Sequence, residues 1–167
     1  MMMYEACVPV LQHYLNQLDH MLLKTQRHLA TKPEAELLQL RLAPDMMVLW
    51  QQILVAIGFS LRASAPLVEV DAPTTQFEEK SIESLRADLQ VAQNFLGQLK
   101  PEQFINRGHV NIQHQAGDTV LDMPASVYLQ HYALPNFFFH LSMVYALLRQ
   151  YGVPLGKHDF DGFHQYP

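Results

Sequence analysis

This 167-residue sequence has one cysteine, seven glycines and only 16% charged residues, and each scarcity removes a class of protein. Cys7 alone cannot make an internal disulfide, and no cysteine pair is present to hold zinc. Such thiol usage fits a reducing, cytoplasmic compartment. The glycines form neither a phosphate-cradling loop nor a dinucleotide fingerprint, and no serine sits in a nucleophile-elbow context. Lys and Arg number 11 against 16 Asp and Glu, for a net charge of −5, so no basic face for nucleic acid is expected. Acidic residues do not cluster either; Glu78-Glu79 stands beside Lys80. The start "MMMYEACVPVLQHYL" has no basic region ahead of an apolar one and turns amphipathic at once, unlike a leader. Residues 127–148 are long enough to span a bilayer. Gln130, His131, Pro135, Asn136 and His140 interrupt them, so a buried helix and no membrane contact are expected.

What remains is a chain with 49% apolar residues, enough for one packed domain over residues 1–167. Its periodicity is helical. From about Ala6 to Ala30, Val10, Leu11, Tyr14, Leu15, Leu18, Met21, Leu22 and Thr25 recur at three and four. His13 and His20 share the opposite, polar stripe and are expected in solvent. A second helix is expected from "LAPDMM", with Pro44 in its first turn. Between Met46 and Leu61 it is apolar almost all round, which requires cover on several sides, from the bundle or from a second subunit. In the third, Ser81 suits an N-cap, Ile82, Leu85, Leu89, Ala92, Leu96 and Leu99 line one face, and Pro101 stops the helix. Residues 104–123 alternate around Gly117 and predict a β-hairpin, with His109 and His114 on its surface. A fourth helix begins near Pro124, with Asp122 as its cap. It bends at Pro135, continues through Arg149 and stops at Gly152. Four helices joined mostly by short links predict an all-α, up-down four-helix bundle with a small hairpin insert before the last helix.

The last helix carries two histidines nine residues apart. At about 100° per residue, His131 and His140 fall on opposite sides of a regular helix and cannot converge on one ion. His140, among Phe138, Phe139, Leu141 and Met143, has the stronger case for burial and for function. Two readings stand: a core imidazole hydrogen-bonded to Asn136 or to a glutamine across the bundle, or a metal ligand short of a second donor.

The segments "RLAPDM" (Arg41 to Met46) and "ALPNFFFH … YALLRQYGVPLGK" (from Ala133, running on to Phe160) resemble an uncharacterised branch of the DinB/YfiT-like superfamily of bacterial four-helix bundles. The resemblance covers nearly the whole chain. It implies a metal pocket of three histidines between helices, as in relatives that are thiol-dependent transferases or a mycothiol-dependent isomerase, and it implies homodimers. Aligned from Leu148-Arg149, the pocket positions fall on His140, Asn136 and, on the second helix, Gln52. One imidazole and two carboxamides are a poor donor set for zinc or nickel but a good hydrogen-bonding set. The expectation is therefore a small-molecule-binding bundle with a degenerate, metal-free polar pocket. The alternative is a divergent metal-dependent transferase or hydrolase that uses His140 as ligand or base, with a divalent zinc or nickel.

Three further features complete the reading. Asp45, one heptad before Gln52, is a further pocket candidate, although a place in the first turn of a helix would itself explain it. Cys7, in apolar surroundings, reads as a structural thiol. The tail "PLGKHDFDGF" reads as docking Phe160 and Phe163 on the bundle, or as a lid whose Lys157 reaches an anionic ligand.

Overall fold

The computed structural model describes residues 3–29, 33–76, 78 and 81–164. The expected helix end at Ala30 and the neighbours Glu79 and Lys80 lie outside the described residues. The chain is mostly helical with one small antiparallel sheet. Helix α1 (Met3–His28) buries Leu11, Leu15, Leu18, Met21, Leu22 and Thr25 on the face set by its three-four spacing. The buried Thr25 hydroxyl is satisfied by donating to the Met21 carbonyl at 2.7 Å. A short helix, α2 (Glu34–Leu38), follows; five residues are too few to show periodicity in sequence.

Helix α3 (Leu49–Ser64) starts later than expected. Pro44 and Asp45 lie in an exposed turn, and the helix opens after Val48, whose N–H donates to the Gln51 side chain at 3.1 Å. That glutamine satisfies an otherwise orphaned amide at the helix start. Asp45 is therefore neither in a first helical turn nor buried. Most of α3 is buried, packed on α1, on α4 (Ile82–Gln98) and most extensively on α6 (Leu134–Gln150). Its all-round apolarity is accounted for within the chain, so a second subunit is not needed to cover it. Together with the turn after it, Leu49–Val68 has the length and composition of a membrane span, but 67% of that window is buried inside the fold. Ser60 and Ser64 are carried into this apolar interior by donating to the carbonyls of Ile57 and Ser60, at 2.7 and 2.8 Å. Helix α4 begins as its sequence signals, with Ser81 Oγ accepting from Ser84 N–H at 3.1 Å.

Strands β1 (Asn111–Ala116) and β2 (Thr119–Pro124) form the hairpin, with Gly117 at φ +58° in its turn and Ile112 as its buried anchor. Asp122 belongs to this hairpin and not to the following helix. Its carboxylate accepts from Asn111 and Gln113 across the ladder, at 2.9 and 3.2 Å, and Pro124 takes the N-cap position.

The expected bend at Pro135 takes a definite form. After one turn, α5 (Ala125–Val127), the chain enters a π-helical turn over Tyr128–Ala133, and the Leu134 N–H reaches back to the Leu129 carbonyl. Proline lacks the N–H that would continue the ordinary ladder, and the wider turn absorbs the defect. Helix α6 then runs to Gln150 and ends where Gly152 adopts φ +96°, with Val153 N–H on the Leu148 carbonyl at 3.0 Å.

The tail folds as α7 (Lys157–Asp161) against α1. Asp159, 1% exposed, accepts from Lys24 Nζ at 2.9 and 3.0 Å, from His20 Nε2 at 2.7 Å and from the Gly156 N–H at 2.7 Å. His13 Nε2 donates to the Asp161 carbonyl at 2.6 Å and stacks on Phe163, ring centres 4.6 Å apart. Thus His13 and His20 are not simply solvated; the polar stripe of α1 is where the tail docks. Phe160 packs on Tyr14 and Tyr145, while Phe163 stays 72% exposed.

Candidate functional site

Gln52 on α3 and His140 on α6 meet across the most extensive helix interface of the fold. His140 Nδ1 lies 2.7 Å from Gln52 Oε1, and both residues are buried. The Gln52 amide nitrogen donates to the Met47 carbonyl at 3.3 Å, which turns the amide oxygen toward the imidazole. An amide oxygen can only accept, so His140 carries its proton on Nδ1 and a lone pair on Nε2. That Nε2 has no hydrogen-bond partner among the described residues and is not sealed from solvent. Burial, reinforced by the Arg62 guanidinium, pushes the His140 pKa from 6.5 down to about 4. The ring is therefore neutral near pH 7, an acceptor rather than a cation. Asn136 takes a different partner, donating from Nδ2 to the Tyr132 carbonyl of the π-helical turn at 2.7 Å. His131 lies in the π-helical turn and is exposed.

Five residues, of which only His114 was singled out from the sequence pattern, complete the surroundings. Arg62, on the last turn of α3, lays its guanidinium over the Phe59 ring at 4.2 Å from the ring centre. Phe59 in turn stacks on His140, centres 5.7 Å apart, and meets Tyr132 edge-on at 5.8 Å. His114 of β1 packs its ring against Tyr128 and Tyr132, at 5.6 and 5.4 Å, and is partly buried rather than on the outer surface of the hairpin. Burial and then Arg62 lower its pKa. Tyr128 is buried, its hydroxyl donating to the Arg62 carbonyl at 3.0 Å, and burial raises its pKa. Both tyrosines sit on the π-helical turn, so the defect made by Pro135 shapes one wall of the site. The pattern analysis passed over Phe59 and Arg62, an aromatic residue and an arginine three apart on an apolar helix, which is the signal in the sequence that could have found this group.

Among the described residues, no group of three or more His, Cys, Asp or Glu is placed to hold a metal ion. At the pocket positions the donors are one imidazole, already bonded through Nδ1, and two carboxamides. That set does not fit the several nitrogen or sulfur ligands that zinc or nickel sites use. Cys7 is no ligand candidate either: it is buried against the Ala63 carbonyl at 3.8 Å, and burial pushes its thiol up to about 12.

Residues 3–161 match the family described as Domain of unknown function (DUF1993). The chain belongs to the DUF1993 family. This DUF1993 chain also resembles the crystal structure of a DinB family member protein from Shewanella denitrificans, at 25% identity and a TM-score of 0.86, covering 99% of this chain and 94% of that one. The DinB-like resemblance carried by the two sequence segments thus agrees with the fold. No curated protein matches the chain.

Proposed function

We propose that this DinB-like DUF1993 protein is a small-molecule-binding bundle whose former metal pocket persists as a metal-free polar pocket at Gln52, Asn136 and His140. The observation that carries the reading is the protonation pattern at His140. Its Nδ1–H is consumed by Gln52, and its Nε2 lone pair is open to a ligand donor. An imidazole whose pKa is held at about 4 is a weak base at neutral pH, which favours recognition over proton transfer. In this reading the four long helices form an up-down bundle acting as one domain. The protein works in the cytoplasm as a homodimer, for which exposed Phe139 on α6 offers apolar contact surface.

Metal analysis of protein purified without a His-tag tests the proposal. The expected result is no stoichiometric first-row metal. A stoichiometric metal that disappears in His140→Ala would overturn it in favour of a divergent metal-dependent enzyme. Light scattering on the same sample reads the dimer.

A further inference from the structure

Among the described residues, three of the half-buried cations face a carboxylate. Arg86 faces Asp19 with an Nε–Oδ1 distance of 2.6 Å, Arg107 faces Glu69 at 2.8 Å, and Lys24 faces Asp159. Two of these, Arg107 and Lys24, line open surface clefts of about 290 and 320 Å³, yet each is already paired with a carboxylate. Arg62 is the exception among these half-buried cations. It is half-buried, it forms no ion pair among the described residues, and its Nε is sealed from solvent with no hydrogen-bond partner.

The local structure accommodates this cation without neutralising it. Gly58 lies one turn before Arg62 on α3, and a Cβ there would come within 3.3 Å of Arg62 Nη2; the glycine makes room for the guanidinium to lie back along its own helix. Phe59 supplies a ring face beneath it. Around it stand Tyr128, Tyr132, His114 and His140. The imidazoles are held neutral by burial and by Arg62 itself, and burial of Tyr128 favours its neutral phenol. These groups offer hydrogen bonds but no counter-charge. A half-buried guanidinium without an anion leaves desolvation uncompensated, so the arrangement is complete only when a ligand brings the charge.

We infer that Arg62 anchors a small organic oxyanion, its charged end on the guanidinium and the Tyr132 hydroxyl, its body along Phe59, and a donor group on His140 Nε2. This rests on the small-molecule pocket proposed above and names its ligand class. Carboxylates and phosphate esters share the chemistry; a planar guanidinium takes either in a forked contact.

Nitrogen–proton correlation NMR of the full chain, titrated separately with benzoate, inorganic phosphate and uncharged benzamide, tests the inference. Benzoate or phosphate is expected to shift the Arg62 side chain, Tyr132 and His140 saturably. Affinity should fall roughly 10-fold or more in Arg62→Met, the loss of one charged hydrogen-bonding contact. Benzoate alone would assign a carboxylate with an aromatic body; phosphate alone would assign a phosphate ester. Arg62→Met should melt no lower than the parent without ligand, because it removes an uncompensated cation, and Arg62→Gln serves as a second variant should the methionine perturb folding. Absence of saturable shifts with both anions, or equal affinity in parent and variants, would overturn the inference. Benzamide bound equally by parent and Arg62→Met, but lost in His140→Ala, would overturn it while leaving the pocket itself standing.

Discussion

Gln52 Oε1 accepts the Nδ1–H of His140 at 2.7 Å, joining α3 to α6 through a buried polar pair. A buried hydrogen bond of this kind matters most when half of it is removed. Gln52→Leu leaves the imidazole N–H without a partner in an apolar interface. It should lower unfolding free energy by about 1–3 kcal/mol, read by urea denaturation.

The same imidazole makes stability depend on pH. Its folded pKa of about 4 lies below the ordinary 6.5, so between those values the unfolded chain binds the proton and the folded one resists it. Stability is therefore full above about pH 6.5 and declines as pH falls toward 4. His114, also lowered, acts in the same direction. His140→Gln should flatten this limb of a melting-temperature profile; an unchanged slope would show that His140 does not drive it.

Asp159 ties the tail to the first helix. Burial raises its pKa, but the Gly156 N–H, Lys24 and His20 outweigh that and hold it below the ordinary carboxylate value. Its stabilising contribution is present above that value and is lost as the carboxylate protonates in acid. Asp161, held down to about 2 against burial by the N–H groups of Phe163 and His164 and by the His164 ring, behaves alike. Asp159→Asn should cost about 1–3 kcal/mol at neutral pH and expose the segment after Gly156 to limited proteolysis. Truncation at Gly156 should destabilise the chain in the same way, because the tail is docked; loss of ligand binding with stability intact would instead mark it as a lid.

Gly152 closes α6 with φ at +96°, outside the range that a side chain readily adopts. Nothing lies within 4 Å of a Cβ built there, so Gly152→Ala introduces backbone strain without a clash. The expected loss is about 1–2 kcal/mol, measured by thermal unfolding.

Much of the architecture was legible from one-dimensional pattern. The three-four spacing of α1 and α4, the Ser81 cap, the alternating hairpin around Gly117 and the stop at Gly152 are local signals, each written within a few turns of chain. Where local signals compete, pattern misled. Pro44 and Asp122 both carry helix-start chemistry, yet one lies in a turn and the other in a strand ladder, because Gln51 and Pro124 serve those helix starts instead. His13 and His114 looked solvated only because nothing in their own segments covers them, whereas His20 is exposed as expected and also bonds Asp159. The cover comes from α7 and from the π-helical turn.

Residue type and period were enough to give a mostly helical chain and a buried His140. That His140 pairs with Gln52 rather than Asn136, and that Arg62 lies among aromatic rings with no ion pair among the described residues, emerges only from the folded arrangement. Those outcomes depend on which side chains from distant segments reach one another, and on a register shift at Pro135 that regular helical counting does not contain.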